Sequence, residues 1–237
     1  MIFLDRTDAG QQLAEQLAFL KGAENVIVLG IPRGGVVVAA EVACALGARL
    51  DVFIAHKIGA PFNPELAIGA LTSTGEVFLD ELLVDELRLQ RDEIESEIEH
   101  WREEIARRIQ VFRRDLPPTD LENKIVVVVD DGVATGSTML AALRALRKQK
   151  PARLILAVPV GPAETIARLA RECDQAIVLA TPEPFWAVGR FYARFDQTSD
   201  DQVIRLLTDA VQRMRRNVNA QSSRAANDIA VSDQSGK

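Results

Sequence analysis

Apolar positions along the chain follow two patterns. Some form short unbroken runs bounded by glycine, proline or acids; others recur every three or four residues over longer stretches. The first pattern marks buried strands at 26–30 (VIVLG), 50–57 (LDVFIAHK), 125–129 (IVVVV), 154–158 and 176–179. The second marks helices over 11–20, 36–47 (ending at Gly47), 137–148 and 162–171, with a terminal helix running to about residue 216. After residue 57, IGAPFNPE reads as a loop broken by two prolines, followed by short strands AIGAL and EVFL on either side of a Thr-Ser-Thr-Gly turn.

Residues 81–115 change character. This densely charged stretch carries Ile94, Ile98, Trp101, Ile105, Ile109 and Phe112 at helical spacing, so the pattern predicts one long helix with a single apolar face. Glu103 with Arg107 and Glu104 with Arg108 supply exposed i,i+4 pairs, and Pro117-Pro118 ends the helix. Its apolar face is expected to pack on its own domain; the other reading is a homodimer contact. Residues 217–237 lack a sustained apolar pattern and read as a disordered tail. Strand and helix otherwise alternate, which predicts an α/β fold: a Rossmann-like central parallel sheet flanked by helices, in one domain over 1–216.

Composition narrows the partners. Of 237 residues, 48% are hydrophobic and 26% charged, as in a soluble globular protein, and a net charge of −6 disfavours a nucleic-acid partner while permitting a local basic pocket. The chain has two cysteines, Cys44 and Cys173, without a CxxC, which suggests neither a disulfide framework nor a zinc cluster and fits a reducing cytoplasm. The N-terminal MIFLDRTDAG turns polar too early for a secretory signal, and no apolar run reaches the ~18 residues of a membrane span, so no membrane association is expected.

The chemistry concentrates where the strand KIVVVV runs into DDGVATGST. Ligands of a parallel sheet bind at the C-terminal ends of its strands. Thr135, Gly136, Ser137 and Thr138 suit a phosphate cradle, with amide donors at a helix start, hydroxyls, and a glycine for close approach. Asp130 and Asp131 beside a phosphate need hydrogen-bond donors or a cation, and a sugar phosphate offers a diol for the acids and a phosphate for the loop. A Walker A loop does not fit, since Gly132 and Gly136 are one residue too close and the lysine is absent; GxGxxG is absent as well. A plain polar turn with a capping hydroxyl would explain the threonines but not the paired acids.

VVVVDDGVATGST resembles the phosphoribosyl-diphosphate-binding motif of type I phosphoribosyltransferases, and the layout is similar to a stand-alone bacterial subgroup of that family whose acceptor is unassigned. The similarity spans Val26 to about Leu179, with a small hood following at about 181–198. It implies that Ala134, Thr135, Gly136, Ser137 and Thr138 hold the 5′-phosphate while Asp130 and Asp131 engage the ribose hydroxyls. It also implies that PRGG, with Arg33, Gly34 and Gly35, forms the pyrophosphate loop. Lys57, at the expected end of the second strand, is placed to meet the diphosphate, and IGAPFNPE lies where relatives carry a mobile cover. Ala134 stands where enzymes acting on 6-oxopurines usually carry an acid, which points away from hypoxanthine-guanine activity.

The resemblance implies transfer of ribose 5-phosphate from phosphoribosyl diphosphate to a nitrogen acceptor, a nucleobase or related heterocycle, with release of pyrophosphate. Mg2+ would be held by substrate oxygens and water rather than by direct protein ligands. Trp186 and Tyr192 in the aromatic stretch PEPFWAVGRFYARFD are the candidate acceptor contacts. His56 and His100 read as structural or solvated residues. Two rival readings are a regulatory binding protein that keeps the donor site with little catalysis, and a hydrolase of a phosphorylated sugar.

Overall fold

The computed structural model describes residues 3–114 and 119–216, without the side chains of 64 and 65. The expected tail at 217–237 and the helix stop at Pro117-Pro118 lie outside the described residues. Asp5 caps the first helix, α1 (Arg6–Gln16), by accepting from the Asp8 amide at 3.1 Å. That helix begins five residues before the apolar spacing suggests, because the cap and not the first apolar residue sets its start. A 3-10 turn, Ala18–Leu20, ends it.

The main sheet follows. β1 (Val26–Gly30) leads into α2 (Gly34–Leu46), and β2 (Arg49–Val52) pairs parallel to β1. Further on come β6 (Ile125–Val129), α5 (Ser137–Lys148), β7 (Arg153–Val160), α6 (Ala163–Leu169) and β8 (Gln175–Ala180). The strand order is β2-β1-β6-β7-β8, all parallel. The valines of β6 show why this sheet needs unbroken apolar runs. Val127 and Val129 face one core, with Val28, Val38 and Ile155; Val126 and Val128 face the other, with Leu143, Leu146 and Leu156. Both faces are covered by helices, so alternate residues are buried on opposite sides and none can be polar.

The stretch 50–57, read as one strand, is two. β2 stops at Val52, and after Phe53-Ile54 the chain enters a separate antiparallel sheet of β3 (Ala55–Ala60), β4 (Asn63–Thr72) and β5 (Val77–Leu79). The expected proline-broken loop is thus the tip of the β3-β4 hairpin, with register shifts at Ile58-Gly59 and Gly59-Ala60 that accommodate the irregular turn.

The charged helix is also divided. α3 (Glu81–Glu86), capped by Asp80, ends near Arg88, whose φ of 52° stops the helical path, and α4 (Arg91–Arg113) follows. α4 buries Ile94, Ile98, Ile105 and Phe112 against its own domain. Arg107 pairs with Glu104, not Glu103, at 2.9 Å, and Arg108 shares the same carboxylate at 2.7 Å. The far end of α4 is pinned by Arg113, whose Nε donates to the buried Asp51 at 2.9 Å and whose Nη2 donates to the Val52 carbonyl at 3.1 Å.

After β8, an irregular segment carries the 3-10 turn Val188–Phe191 and is strapped to the N-terminus by Phe3 N to Phe191 O and Ala193 N to Phe3 O, at 2.7 and 2.8 Å. The last described helix, α7, covers residues 200–216. Among the described residues no helix is long and apolar enough to cross a membrane.

Candidate active site

In the main sheet the order reverses between β1 and β6, so the loops leaving these two strands diverge and open a crevice at their C-terminal ends. PRGG leaves β1 and DDGVATGST leaves β6, and the two motifs meet there. Their contact depends on the glycines. A Cβ on Gly35 would lie 2.8 Å from both Cα and Oδ1 of Asp130, and one on Gly34 would lie 2.0 Å from Asp131 Oδ2. Any side chain at either position would push the acid pair out of the crevice.

The acids are not equivalent. Asp130 Oδ1 accepts from the Asp131 amide at 2.8 Å. Asp131 Oδ2 accepts from Arg6 Nε at 2.7 Å, and the Asp131 carbonyl accepts from the Tyr192 hydroxyl. Arg6 also donates to the Asp196 carbonyl at 2.7 Å and lies 3.8 Å over the Phe195 ring. Burial, reinforced by the Asp131 charge, pushes the Asp130 carboxyl well above the ordinary range. Burial raises Asp131 as well, with Arg6 opposing. A half-buried acid pair with its arginine on one member only is suited to a ligand that brings hydroxyl donors or a cation to the other.

Gly136 begins α5 with φ at 72°, where a Cβ would also meet Thr165 Cγ2 at 2.7 Å. That backbone turn sets the loop across the start of α5, whose first amides have no partner within the helix. α6 holds the loop from outside: Thr165 Oγ1 donates to the Ala134 carbonyl at 2.9 Å, and Arg168 donates to the Thr135 carbonyl. The Thr135 and Ser137 hydroxyls lie 3.4 Å apart.

A cavity of about 570 Å3 opens over this floor. Pro32, Arg33, Asp130 and Thr138 form its base, and the roof is α4 with Trp101, Glu104, Arg107 and Arg108, next to His56 of β3. Arg33 also faces Asp200 at the start of α7, at 3.6 Å.

The expected site residues therefore divide. Arg33, Gly34, Gly35, Asp130, Asp131 and the loop Ala134 to Thr138 are brought together at the sheet's switch point. Lys57 is not at a strand end: it lies within β3, where Ala55 and His56 line the cavity and Lys57 does not. Tyr192 and Trp186 are not among the cavity's lining residues. Tyr192 is buried against Phe3, with ring centroids 5.3 Å apart, and its hydroxyl braces Asp131; Trp186 is 79% exposed. Sequence reasoning missed Arg6, His56, Asp200 and the α4 residues as parts of the site. The one available signal was the half-buried Trp101 among isoleucines on the apolar face of α4.

A parallel sheet with an acid pair and a glycine-hydroxyl loop at its switch point defines a class, and the sequence match agrees. Residues 4–189 match the phosphoribosyl transferase domain, and the chain belongs to that family. A Mycobacterium tuberculosis protein with the provisional name phosphoribosyl transferase is 45% identical over 209 residues, 88% of this chain and 47% of its own. The chain thus spans about half the length of these curated relatives. TT1426 of Thermus thermophilus, of known crystal structure, is 42% identical, with a TM-score of 0.77 over 88% of this chain and 99% of its own. The Bifunctional protein PyrR of Geobacter sp. (strain M21) is 31% identical over 141 residues, 59% of this chain and 60% of its own.

Proposed function

We propose that the chain transfers ribose 5-phosphate from phosphoribosyl diphosphate to a ring nitrogen of a small heterocycle, releasing pyrophosphate. The observation that carries this reading is the meeting of the PRGG and DDGVATGST loops at one switch point, with Gly34 and Gly35 packed on the acid pair. One ligand with a diol between two phosphate groups satisfies all three elements. The loop at the start of α5 takes the 5′-phosphate. Asp130 and Asp131 accept from the ribose hydroxyls, with Arg6 and the Tyr192 hydroxyl fixing Asp131. Arg33 faces the diphosphate, and Asp200 serves as its counter-ion until the substrate arrives.

Mg2+ fits this donor set, because the half-buried Asp130 carboxyl lacks the direct arginine hydrogen bond that Asp131 has; substrate oxygens and water would supply most of the coordination. When bound, the ion neutralises charge on the departing diphosphate. The chain's own work is to align donor and acceptor and to exclude water. Under this reading the partners are phosphoribosyl diphosphate and a small-molecule acceptor.

The test is pyrophosphate release from phosphoribosyl diphosphate and Mg2+ across a panel of purines, pyrimidines and small amines. Acceptor-dependent release is expected. Tight donor binding without release for any acceptor would replace transfer with a regulatory binding role, and release without an acceptor would replace it with hydrolysis.

A further inference from the structure

The floor of the cavity is accounted for by the donor, but the roof is not. α4 presents Trp101, Glu104 and Arg108 to the space above Asp130, and β3 adds His56. The imidazole and indole are stacked, with centroids 3.4 Å apart and planes at 23°. Trp101 Nε1 is tied to Glu97 at 2.7 Å, which fixes the indole plane. Arg108 gives its Nε to Glu104 at 2.7 Å, and the remaining guanidinium nitrogens are a planar fork suited to an oxygen acceptor.

We propose that this β3-α4 wall is the acceptor half of the site: a planar N–H heterocycle lies on the indole of Trp101 with its N–H edge turned to the edge of His56, an exocyclic oxygen meets Arg108, and His56 takes the ring proton. The proposal rests on the donor reading above and names its acceptor class. As the ring nitrogen bonds to the anomeric carbon, the bond from that carbon to the diphosphate oxygen breaks and its electron pair leaves with the diphosphate. The N–H proton passes to a nitrogen of His56 and then to water.

Two features favour His56 over the nearby acid. Hydrogen bonds from Arg107 and Arg108 lower the Glu104 carboxyl to about 2, which makes it a poor base. Burial first and the Arg108 charge second hold His56 below its ordinary range, so it is neutral and able to accept a proton at neutral pH. Once protonated, the imidazolium gains a cation–π contact with Trp101. α4 faces the imidazole with Arg108, Glu97 and His100 and its own strand supplies Lys57; Arg33, Asp130, Glu104, Arg107 and Asp200 lie around the same cavity. Of the chain's two histidines, only His56 lines the cavity.

The chain has two tryptophans, so Trp186→Phe leaves Trp101 as the single reporter. This variant is titrated with adenine, hypoxanthine, uracil and orotate in the presence of Mg2+ and phosphoribosyl diphosphate, recording Trp101 emission and pyrophosphate release. The ring that is turned over should change the emission. Trp101→Leu should raise its KM about tenfold or more with donor Kd unchanged, and Trp101→Phe should restore it. His56→Asn should lower kcat about a hundredfold and abolish the acid limb of the pH profile, which in the parent falls below the ordinary histidine range.

A ring turned over with no change in emission and no KM change in Trp101→Leu overturns the subsite. An acid limb unchanged in His56→Asn overturns the proton step, and preference for adenine, which has no exocyclic oxygen, overturns the Arg108 contact. Donor binding measured separately by calorimetry distinguishes the failures. A bound donor with no ring perturbing Trp101 defeats this inference alone; an unbound donor defeats the proposed function, and this inference with it.

Discussion

The floor of the cavity takes Asp130 and Thr138 from one continuous stretch after β6 and Arg33 from the neighbouring loop after β1. Its roof gathers His56 from an antiparallel hairpin and Trp101, Glu104, Arg107 and Arg108 from α4. The floor is held by backbone: two glycines in contact with an acid pair, and Gly136 in a left-handed turn. The roof is held by side chains, namely the buried isoleucines of α4 and the Arg113–Asp51 pair at its far end. A backbone-built site has one geometry set by chain path, whereas a side-chain-built wall can be repacked without disturbing the sheet. Under the proposed function and acceptor assignment, donor recognition on the floor and acceptor choice on the roof can therefore vary independently.

Five substitutions sharpen or break that contrast. The largest stability effect is expected from Arg113→Ala, which leaves Asp51 buried beside one hydroxyl donor, Thr119, and one amide. Removing one partner of such a pair costs about 3–5 kcal/mol, so the urea midpoint should fall steeply. A change below about 1 kcal/mol would show that α4 is held by its isoleucines alone.

Gly136→Val should come next. It places a β-branched residue at φ 72° and drives its Cβ into Thr165. Strain of about 1–3 kcal/mol is expected, with donor affinity at least tenfold weaker by calorimetry. Thr138→Val, which removes one hydroxyl donor, should cost less, about 0.5–1.5 kcal/mol of binding. Equal affinities in all three proteins would detach the loop from the phosphate.

Asp130→Asn should stabilise the fold while impairing donor binding. The Asp130 pKa is raised on folding, so the folded state binds more protons than the unfolded chain between the ordinary carboxylate range and the elevated folded value. Stability therefore falls as pH rises through that window, and the penalty persists at neutral pH. The asparagine variant lacks it, so its Tm should exceed that of the parent by about 2–4 °C at pH 7, the shift that ~1 kcal/mol produces in a chain of this size. The gain should vanish below about pH 3.5, where both states of the parent are protonated at this site. An unchanged or lower Tm at pH 7 would mean that Asp130 is paired in the free protein.

The smallest effect is expected from Trp186→Ala. The ring is 79% exposed and lies outside the cavity, so stability should change by less than about 0.5 kcal/mol and the acceptor KM should stay the same. A raised acceptor KM would return acceptor recognition to the segment after β8.

The contrast also explains what could be read from the sequence. The placement of the floor residues was legible because strand end, acids and glycine-hydroxyl loop are consecutive in the sequence. Helix and strand positions in the main sheet were legible for the same local reason: α5 runs from Ser137 to Lys148 as its pattern indicates. The roof was not legible, nor was the brace under the floor's acid pair: Arg113 reaches Asp51 across 62 positions, and Arg6 reaches Asp131 across 125. No local spacing records such contacts. The break at Phe53-Ile54 was hidden because an apolar run reads as one strand whether or not it changes sheets, and Lys57 was misplaced as a consequence.

The most direct test of the central claim is calorimetric titration of phosphoribosyl diphosphate with Mg2+ into the parent protein and the Asp130→Asn, Asp131→Asn double variant. Two charge-assisted contacts of about 1.5–3 kcal/mol each are removed, so the account predicts saturable one-site binding to the parent and affinity weaker by about a hundredfold or more in a folded double variant. Equal affinity in the two proteins, or no binding to the parent, would contradict it.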